Sequence, residues 1–225
     1  MSGSRELPGH ALLVGGGQGI GAALAGQLGS ACTSWTRTGG VDATDAASVR
    51  AAFDALRAEH GVPYALVHCV GDFCEQPLLE TDEAAYRALF ASNVDTAFQV
   101  VQAVVPAMVE AGRGRVVLFA AAGADRQQAM LRAPVYFAAK AALIQLARSL
   151  ALEVAPSGVT VNVVSPGLID HEHSHRASQA RMLPKVPLGR VGSCDDVVAM
   201  VRYLLSPEAA YVTGQVLTVD GGLQA

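Results

Sequence analysis

Short apolar runs alternate with longer stretches of helical spacing along almost the whole chain. Ala11-Leu12-Leu13-Val14 is uninterrupted and too short for a helix, so it reads as a buried strand. After it, Ile20, Leu24 and Leu28 recur at a spacing that lines one face of a helix over residues 19–28. The same reading predicts strands near 31–35, 64–69, 115–119, 159–163 and 216–219. It predicts helices near 46–60, 83–111, 135–154 and 195–205, with Pro106 expected to kink or break the long one. This alternation is the pattern of an α/β protein: a doubly wound parallel sheet between two helix layers, α/β/α. One crossover is short. Arg37-Thr38-Gly39-Gly40 runs directly into Val41-Asp42, which leaves no room for the helix expected between two parallel strands. No repeat or low-complexity linker divides the chain, so residues 1–225 are expected to form a single domain.

Composition narrows the picture. Of the 225 residues, 51% are hydrophobic, enough for a sizeable core. A net charge of −4 does not suit nucleic acid or an anionic membrane as a partner. Met1 to His10 is polar with no signal-like apolar run behind it, and no stretch approaches about 20 uninterrupted apolar residues, so no membrane association is expected. Cys32, Cys69, Cys74 and Cys194 have neither Cys-x-x-Cys nor zinc-ligand spacing. They read as reduced, mostly buried thiols of a cytoplasmic protein.

Two features carry chemistry. Val14-Gly15-Gly16-Gly17-Gln18-Gly19-Ile20-Gly21 joins the first strand to the first helix. A phosphate needs close backbone approach and free N–H groups at a helix N-terminus, and glycines allow both. Gly15, Gln18, Gly19, Ile20 and Gly21 are therefore candidate dinucleotide contacts. Tyr136 and Lys140 lie four residues apart in a helical stretch, so both project from one face. A phenol beside a fixed ammonium is expected to be a stronger acid and to exchange a proton with a carbonyl or alcohol oxygen. Together the two features point to hydride transfer.

On these residues the chain resembles the short-chain dehydrogenase/reductase family over nearly its whole length, which implies a Rossmann fold. The family turn Thr-Gly-x-x-x-Gly-x-Gly is met by Gly15, Gly19 and Gly21, with Val14 where threonine is usual. The lost hydroxyl normally ties the turn to a neighbouring strand. Asp42-Ala43 resembles the acidic position that holds adenine, and His68-Cys69-Val70-Gly71 stands where Asn-Asn-Ala-Gly is usual, keeping only Gly71. Ser165-Pro166-Gly167-Leu168-Ile169 matches the segment against the nicotinamide, which assigns Pro166, Gly167 and Ile169 to the cofactor. Thr213-Gly214-Gln215 and Val219-Asp220-Gly221-Gly222 match a C-terminal signature that reads as structural. Asn93, Tyr136 and Lys140 match the water-holding asparagine, the acid/base and the ribose-binding lysine. The C-terminal pattern is most like 3-oxoacyl-carrier-protein reductases and polyketide ketoreductases. The family also implies a homo-oligomer, tetramer or dimer, assembled through the long helices.

The departures matter as much. At the end of the second strand there is no acidic residue for a ribose 2′-hydroxyl, and Arg37 stands there instead. A guanidinium grips phosphate, so NADP(H) is expected over NAD(H). The family serine is absent. Counting back from Tyr136 places it at Gly123, and aligning by strand places it at Ala121; no serine occurs between Ser92 and Ser149. Gln127, Gln128 and Arg126 are the nearest polar substitutes. Beyond Pro-Gly, Asp170-His171-Glu172-His173-Ser174-His175-Arg176 is expected to form a lid over the substrate, lacking the usual threonine. His171 and His175 are candidate substrate contacts. Alternate histidines share a face in an extended strand, but loop histidines are more often solvated, so no metal site is expected. Arg176, Arg181 and Lys185 make the lid basic, which would suit an anionic substrate or a carrier-tethered arm.

The leading expectation is an NADP(H)-dependent enzyme that interconverts a carbonyl and a secondary alcohol on a small-molecule or carrier-protein-tethered substrate. The alternatives are a cofactor-binding pseudoenzyme or scaffold that has lost its oxyanion donor, and a dehydratase or isomerase on the same fold.

Overall fold

The computed structural model describes residues 7–126, 128–172, 174 and 176–225. Six strands form one parallel sheet: β1 (Ala11–Val14), β2 (Cys32–Trp35), β3 (Ala65–His68), β4 (Gly114–Phe119), β5 (Val159–Pro166) and β8 (Val216–Val219), in the order β2-β1-β3-β4-β5-β8. The helices are α1 (Gly19–Leu28), α2 (Ala46–His60), α3 (Glu83–Phe90), α4 (Thr96–Glu110), α5 (Pro134–Val154), α6 (Arg176–Met182) and α7 (Cys194–Leu205). Two short strands, β6 (Ile169–Asp170) and β7 (Gly192–Ser193), pair beside the main sheet. This is the Rossmann-like architecture expected from the alternating pattern.

The inner strands β1, β3, β4 and β5 are buried on both faces, and β1, β3 and β4 are almost continuously apolar, whereas the edge strands β2 and β8 are only partly buried. Side chains nevertheless alternate. Leu12, Leu66, Val116 and Val161 face one core with Phe53 of α2, Met108 of α4 and Leu143 of α5. Leu13, Val67, Val117 and Val164 face the other with Leu24 of α1 and Val201 and Leu205 of α7. The runs 83–110 and 134–157 are long and apolar enough to cross a membrane by composition alone. Here they are core helices, with Val100, Val104 and Met108 and with Leu143, Ile144 and Ala147 buried against the sheet.

Three local expectations change. The long helix is interrupted, but not at Pro106, which lies inside α4. The interruption is one π-helical turn, Ala91–Asp95. Its centre is Asn93, whose amide donates to the Asp72 carbonyl at 2.9 Å and to the Leu89 carbonyl at 3.0 Å. The tight packing of Val104, Val105, Ala107 and Met108 holds the helix through the proline. Second, the shortened crossover lacks a strand as well as a helix. Residues 36–40 form a turn, and 41–42 do not pair with β2, which is left as the sheet edge. The Asp42 N–H donates to Ser48 Oγ at 3.0 Å and its carboxylate accepts from Thr44, so local bonds replace the ladder. Third, the four cysteines are free but only half-buried.

The C-terminal signature is structural, as expected. The Gly214 N–H bonds the Val161 carbonyl at 2.7 Å, Thr213 Oγ1 accepts from the Val161 N–H, and Asn162 bridges Val212 and Gln215. These bonds hold the segment that leads into β8 against β5.

Leu66 lies fully buried on the central strand β3. Leu66→Ala is expected to lower unfolding free energy by about 2–5 kcal/mol, read as a reduced urea midpoint with unchanged m-value; a change under about 0.5 kcal/mol would contradict the packing described.

Candidate active site

The chain moves outward from β1 to β2, then returns to place β3 on the other side of β1. Such a reversal opens a crevice at the carboxyl ends of the strands, where ligands bind in open α/β sheets. The glycine turn sits in this crevice. A Cβ on Gly15, at φ +90, would lie 3.0 Å from the Val70 backbone N beyond β3, and a Cβ on Gly21 would collide with the Gly15 carbonyl. The turn is therefore a cradle only glycine can line. Val14 brings no hydroxyl, and the turn is tied to β2 by other means. The Gly15 N–H donates to the Trp35 carbonyl at 2.9 Å, and Gly16 packs on Ser34 Oγ. Gln18 precedes α1 in extended conformation without a side-chain cap, and no acidic residue occupies the first helical turn. Free N–H groups and a positive dipole end at Gly19 and Ile20 suit a diphosphate.

Arg37 is exposed on the turn that follows β2. Thr36 reaches back to Gly17, where a Cβ would lie 3.4 Å from Thr36 Cγ2, so this turn borders the cradle. Asp42 Oδ1 accepts from the Thr44 hydroxyl at 2.7 Å and the Thr44 N–H at 2.9 Å. These bonds, with Arg37 nearby, hold the Asp42 carboxyl below its usual range. Ala43 turns into the core.

The proton-transfer candidates meet at the end of β4. Pro134 opens α5, and two residues further on Tyr136 packs edge-on to Phe73, ring centres 5.0 Å apart. Lys140 is 4% exposed, and its Nζ donates to the Phe119 carbonyl at 2.8 Å. Its ammonium lies 5.8 Å from the Tyr136 ring centre. Gly71 is the floor of this cluster, since a Cβ there would collide with Asn93 Oδ1 and lie 2.8 Å from Lys140 Nζ. Asn93 is fully buried, and its Oδ1 accepts no hydrogen bond among the described residues. An unpaired buried acceptor and a buried ammonium thus border one backbone position, which fits a polar group arriving from outside the chain. Pro166 ends β5, its carbonyl accepting from the Ala122 N–H at 2.9 Å. Gly167 packs on Asp220, and the Ile169 side chain is buried in the α1/α7 core.

The electrostatics differ from expectation. Burial pushes the Tyr136 hydroxyl up to about 12, so the neighbouring ammonium does not acidify it in the chain alone. Burial also brings Lys140 down to about 8, opposed by Cys69 and Asp72. His68, fully buried on β3 with neither ring nitrogen bonded among the described residues, is lowered to about 3 by burial and then by Lys140. The Cys69 thiol is pushed up to about 12 by burial and is no nucleophile.

Pairing of β6 with β7 closes the lid into a loop that contains α6. His171 lies on the glycine turn, its ring Cγ 3.6 Å from where a Gly19 Cβ would stand, rather than apart from it over the substrate. The lid is also less basic than its composition: Arg176 pairs with Asp170 at 2.5 Å and Arg181 with Glu75 at 2.5 Å. Glu75, in the loop after β3, also accepts from the Ser178 hydroxyl and, at 3.5 Å, from Arg132. Nothing in the sequence singled out Glu75, because its partners lie 57 to 106 residues away. Gln128 Nε2 meets Gln224 Oε1 at 3.5 Å. Gln127, His173 and His175 lie outside the described residues.

Comparison with known proteins agrees with this fold. The family described as Enoyl-(Acyl carrier protein) reductase matches residues 18–224. The chain belongs to the short-chain dehydrogenase/reductase family. It is 34% identical to the 3-oxoacyl-[acyl-carrier-protein] reductase FabG of Escherichia coli (strain K12), over 81% of this chain and 75% of that one. It is 37% identical to the galactitol 2-dehydrogenase (L-tagatose-forming) of Cereibacter sphaeroides, over 80% and 73%. A short-chain type dehydrogenase/reductase from Mycobacterium ulcerans superposes with a TM-score of 0.88 at 28% identity, covering 97% of this chain and 90% of that one. As a short-chain dehydrogenase/reductase, the chain is an oxidoreductase by family.

His68 supplies a pH test. Its folded-state pKa, about 3, lies below the unfolded value of 6.5. The unfolded chain therefore gains a proton that the folded chain refuses, and stability falls as pH drops from about 6.5 toward 3. The slope from this one residue is at most about 1.4 kcal/mol per pH unit. Urea midpoints of His68→Asn across that window are expected to vary less with pH than those of the parent; parallel curves would show that the imidazole is not held neutral.

Proposed function

We propose that this short-chain dehydrogenase/reductase is an NADP(H)-dependent ketoreductase with Tyr136 as the proton donor. The observation that carries the reading is the convergence on Gly71 of Lys140 Nζ and Asn93 Oδ1, with Tyr136 one helical turn from the lysine. A reduced nicotinamide, when bound, supplies the hydride that goes to the carbonyl carbon and leaves oxidised. Tyr136 gives its phenolic proton to the carbonyl oxygen. Asn93 Oδ1 accepts from a water that would return a proton to the phenol, and the ammonium of Lys140 stabilises negative charge nearby. The glycine cradle with Gln18, Gly19 and Ile20 holds the diphosphate, Asp42 and Ala43 border the adenine, and Gly71, Pro166, Gly167 and Ile169 border the nicotinamide. Arg37 takes a 2′-phosphate, which favours NADP(H) over NAD(H).

A phenol with its pKa near 12 is protonated throughout the neutral range and can donate to a carbonyl oxygen. A 3-oxoacyl thioester on a carrier protein is the substrate class best supported, by likeness to the Escherichia coli reductase. The free thiols suit a cytoplasmic protein. Exposed Phe98, Leu146 and Leu152 on α4 and α5 suit a dimer or tetramer joined through those helices.

A second reading has an observation of its own. Ala120 to Ala124 carries no side-chain hydroxyl, so a domain that binds the cofactor without turnover is the alternative. NADPH oxidation by acetoacetyl thioester decides between them. The parent is expected to turn over, Tyr136→Phe to lose about 10²–10⁴-fold in kcat, and Arg37→Ala to raise the KM for NADPH at least about tenfold with little change for NADH. Cofactor binding without turnover across a ketone panel would favour the second reading. Unchanged turnover in Tyr136→Phe would remove the proposed acid.

A further inference from the structure

We propose that the carboxamide of Gln224, next to last in the chain, supplies the hydrogen bond to the substrate oxygen that no hydroxyl in the loop after β4 can give. The inference rests on the ketoreductase reading and assigns that site a residue from the far end of the chain.

The loop that leaves β4 lies at the reacting end of the sheet. Phe119, its last strand residue, accepts from Lys140, and the Ala122 N–H bonds the Pro166 carbonyl. From Ala120 to Val135 the chain has no serine, threonine or tyrosine. At Gly123, where counting back from Tyr136 places the family serine (alignment by strand places it at Ala121), the backbone has φ +88. A Cβ there would stand 3.1 Å from Cδ, Nε2 and Oε1 of Gln224 alike. The carboxamide therefore fills the volume that a side chain at 123 would enter, and only glycine admits it.

The tail is held for this task. Asp220 Oδ1 accepts from the Gly222 N–H and Oδ2 from the Gln224 N–H, both at 2.9 Å. Asp220 itself packs on Gly167 of the Pro-Gly turn. The last residues thus fold back from β8 over the ends of β5 and β4 instead of trailing into solvent. Gln128 Nε2 approaches Gln224 Oε1 at 3.5 Å, the outer limit of a hydrogen bond. Nε2 of half-buried Gln224 makes no hydrogen bond among the described residues, which leaves its donors to water or to an arriving acceptor. A carboxamide N–H is a competent donor to an oxygen that gains negative charge as hydride reaches the carbonyl carbon. Tyr136 still provides the proton, so the overall balance is unchanged.

The test is steady-state NADPH oxidation with acetoacetyl thioester, with NADPH binding followed separately by its fluorescence. Gln224→Ala is expected to lose about 10²–10³ in kcat while the Kd for NADPH stays within about twofold. Gln224→Glu keeps the shape but replaces the donor with an acceptor, and is expected to lose at least as much. Ala121→Ser in the Gln224→Ala background is expected to recover at least about tenfold in kcat by returning a hydroxyl to the loop. If both Gln224 variants keep kcat within about twofold while Tyr136→Phe abolishes turnover, the inference is overturned and the ketoreductase reading survives. If Tyr136→Phe is also without effect, both fall together. If Gln224→Ala weakens NADPH binding as much as it lowers kcat, the tail serves the cofactor cradle and the assignment to the substrate oxygen is wrong.

Discussion

The buried ammonium of Lys140 is the constraint around which the reacting end of the sheet is arranged. A cation withdrawn from water is costly unless it is bonded and faces negative potential. Lys140 has one carbonyl, that of Phe119, and the groups that oppose its loss of charge are Cys69 and Asp72. With its pKa near 8 it remains largely charged at neutrality, and its field is one reason that His68 stays neutral. Gly71 lies between this ammonium and Asn93: a Cβ there would collide first with Asn93 Oδ1 and then with Lys140 Nζ. The π-helical turn follows, because Asn93 must both face Gly71 and give its amide to Asp72.

What the sequence made legible was whatever depends on neighbours in the chain. The apolar runs of β1, β3 and β4, the glycine turn, and the four-residue step from Tyr136 to Lys140 are local patterns, and the structure has each where the pattern places it. Features set by distant partners were not legible. The position of the helix interruption depends on a bond from Asn93 across 21 residues to Asp72, while Pro106, a local breaker, is overridden by packing. Helix α6 buries no residue, so it left no apolar period to read. The lid looked basic because its arginines are close in sequence, whereas Glu75, which neutralises Arg181, is 106 residues away. The rise in the Tyr136 pKa belongs here too: adjacency to Lys140 is visible in the sequence, but the burial that raises the phenol in the chain alone is not.

The departures from the family pattern fall on this one site and its cradle. Val14 gives up a hydroxyl, and the turn is held instead by the Trp35 carbonyl and by contact with Ser34. His68 replaces an amide with a ring that finds no hydrogen-bond partner among the described residues, which carries a cost in acid. The loop after β4 gives up side-chain polarity altogether, and the C-terminal turn brings a carboxamide to it. In the turn and in the loop, the group that was lost from one segment has a counterpart delivered by another.

The lid belongs to the same logic. Glu75 is only 16% exposed and holds Ser178 and Arg181 of the lid. It also touches Arg132, four residues before Tyr136. Among the three, the serine bond contributes most to holding the Glu75 carboxyl below its usual range. A rigid displacement that lifts α6 away breaks the serine and Arg181 bonds to this carboxylate together and leaves it to Arg132. The segment that carries α6 and the chain that leads into α5 are therefore not independent, since they share one acid. A charge pair at the surface, screened and individually weak, acquires its effect here because one carboxylate joins three segments.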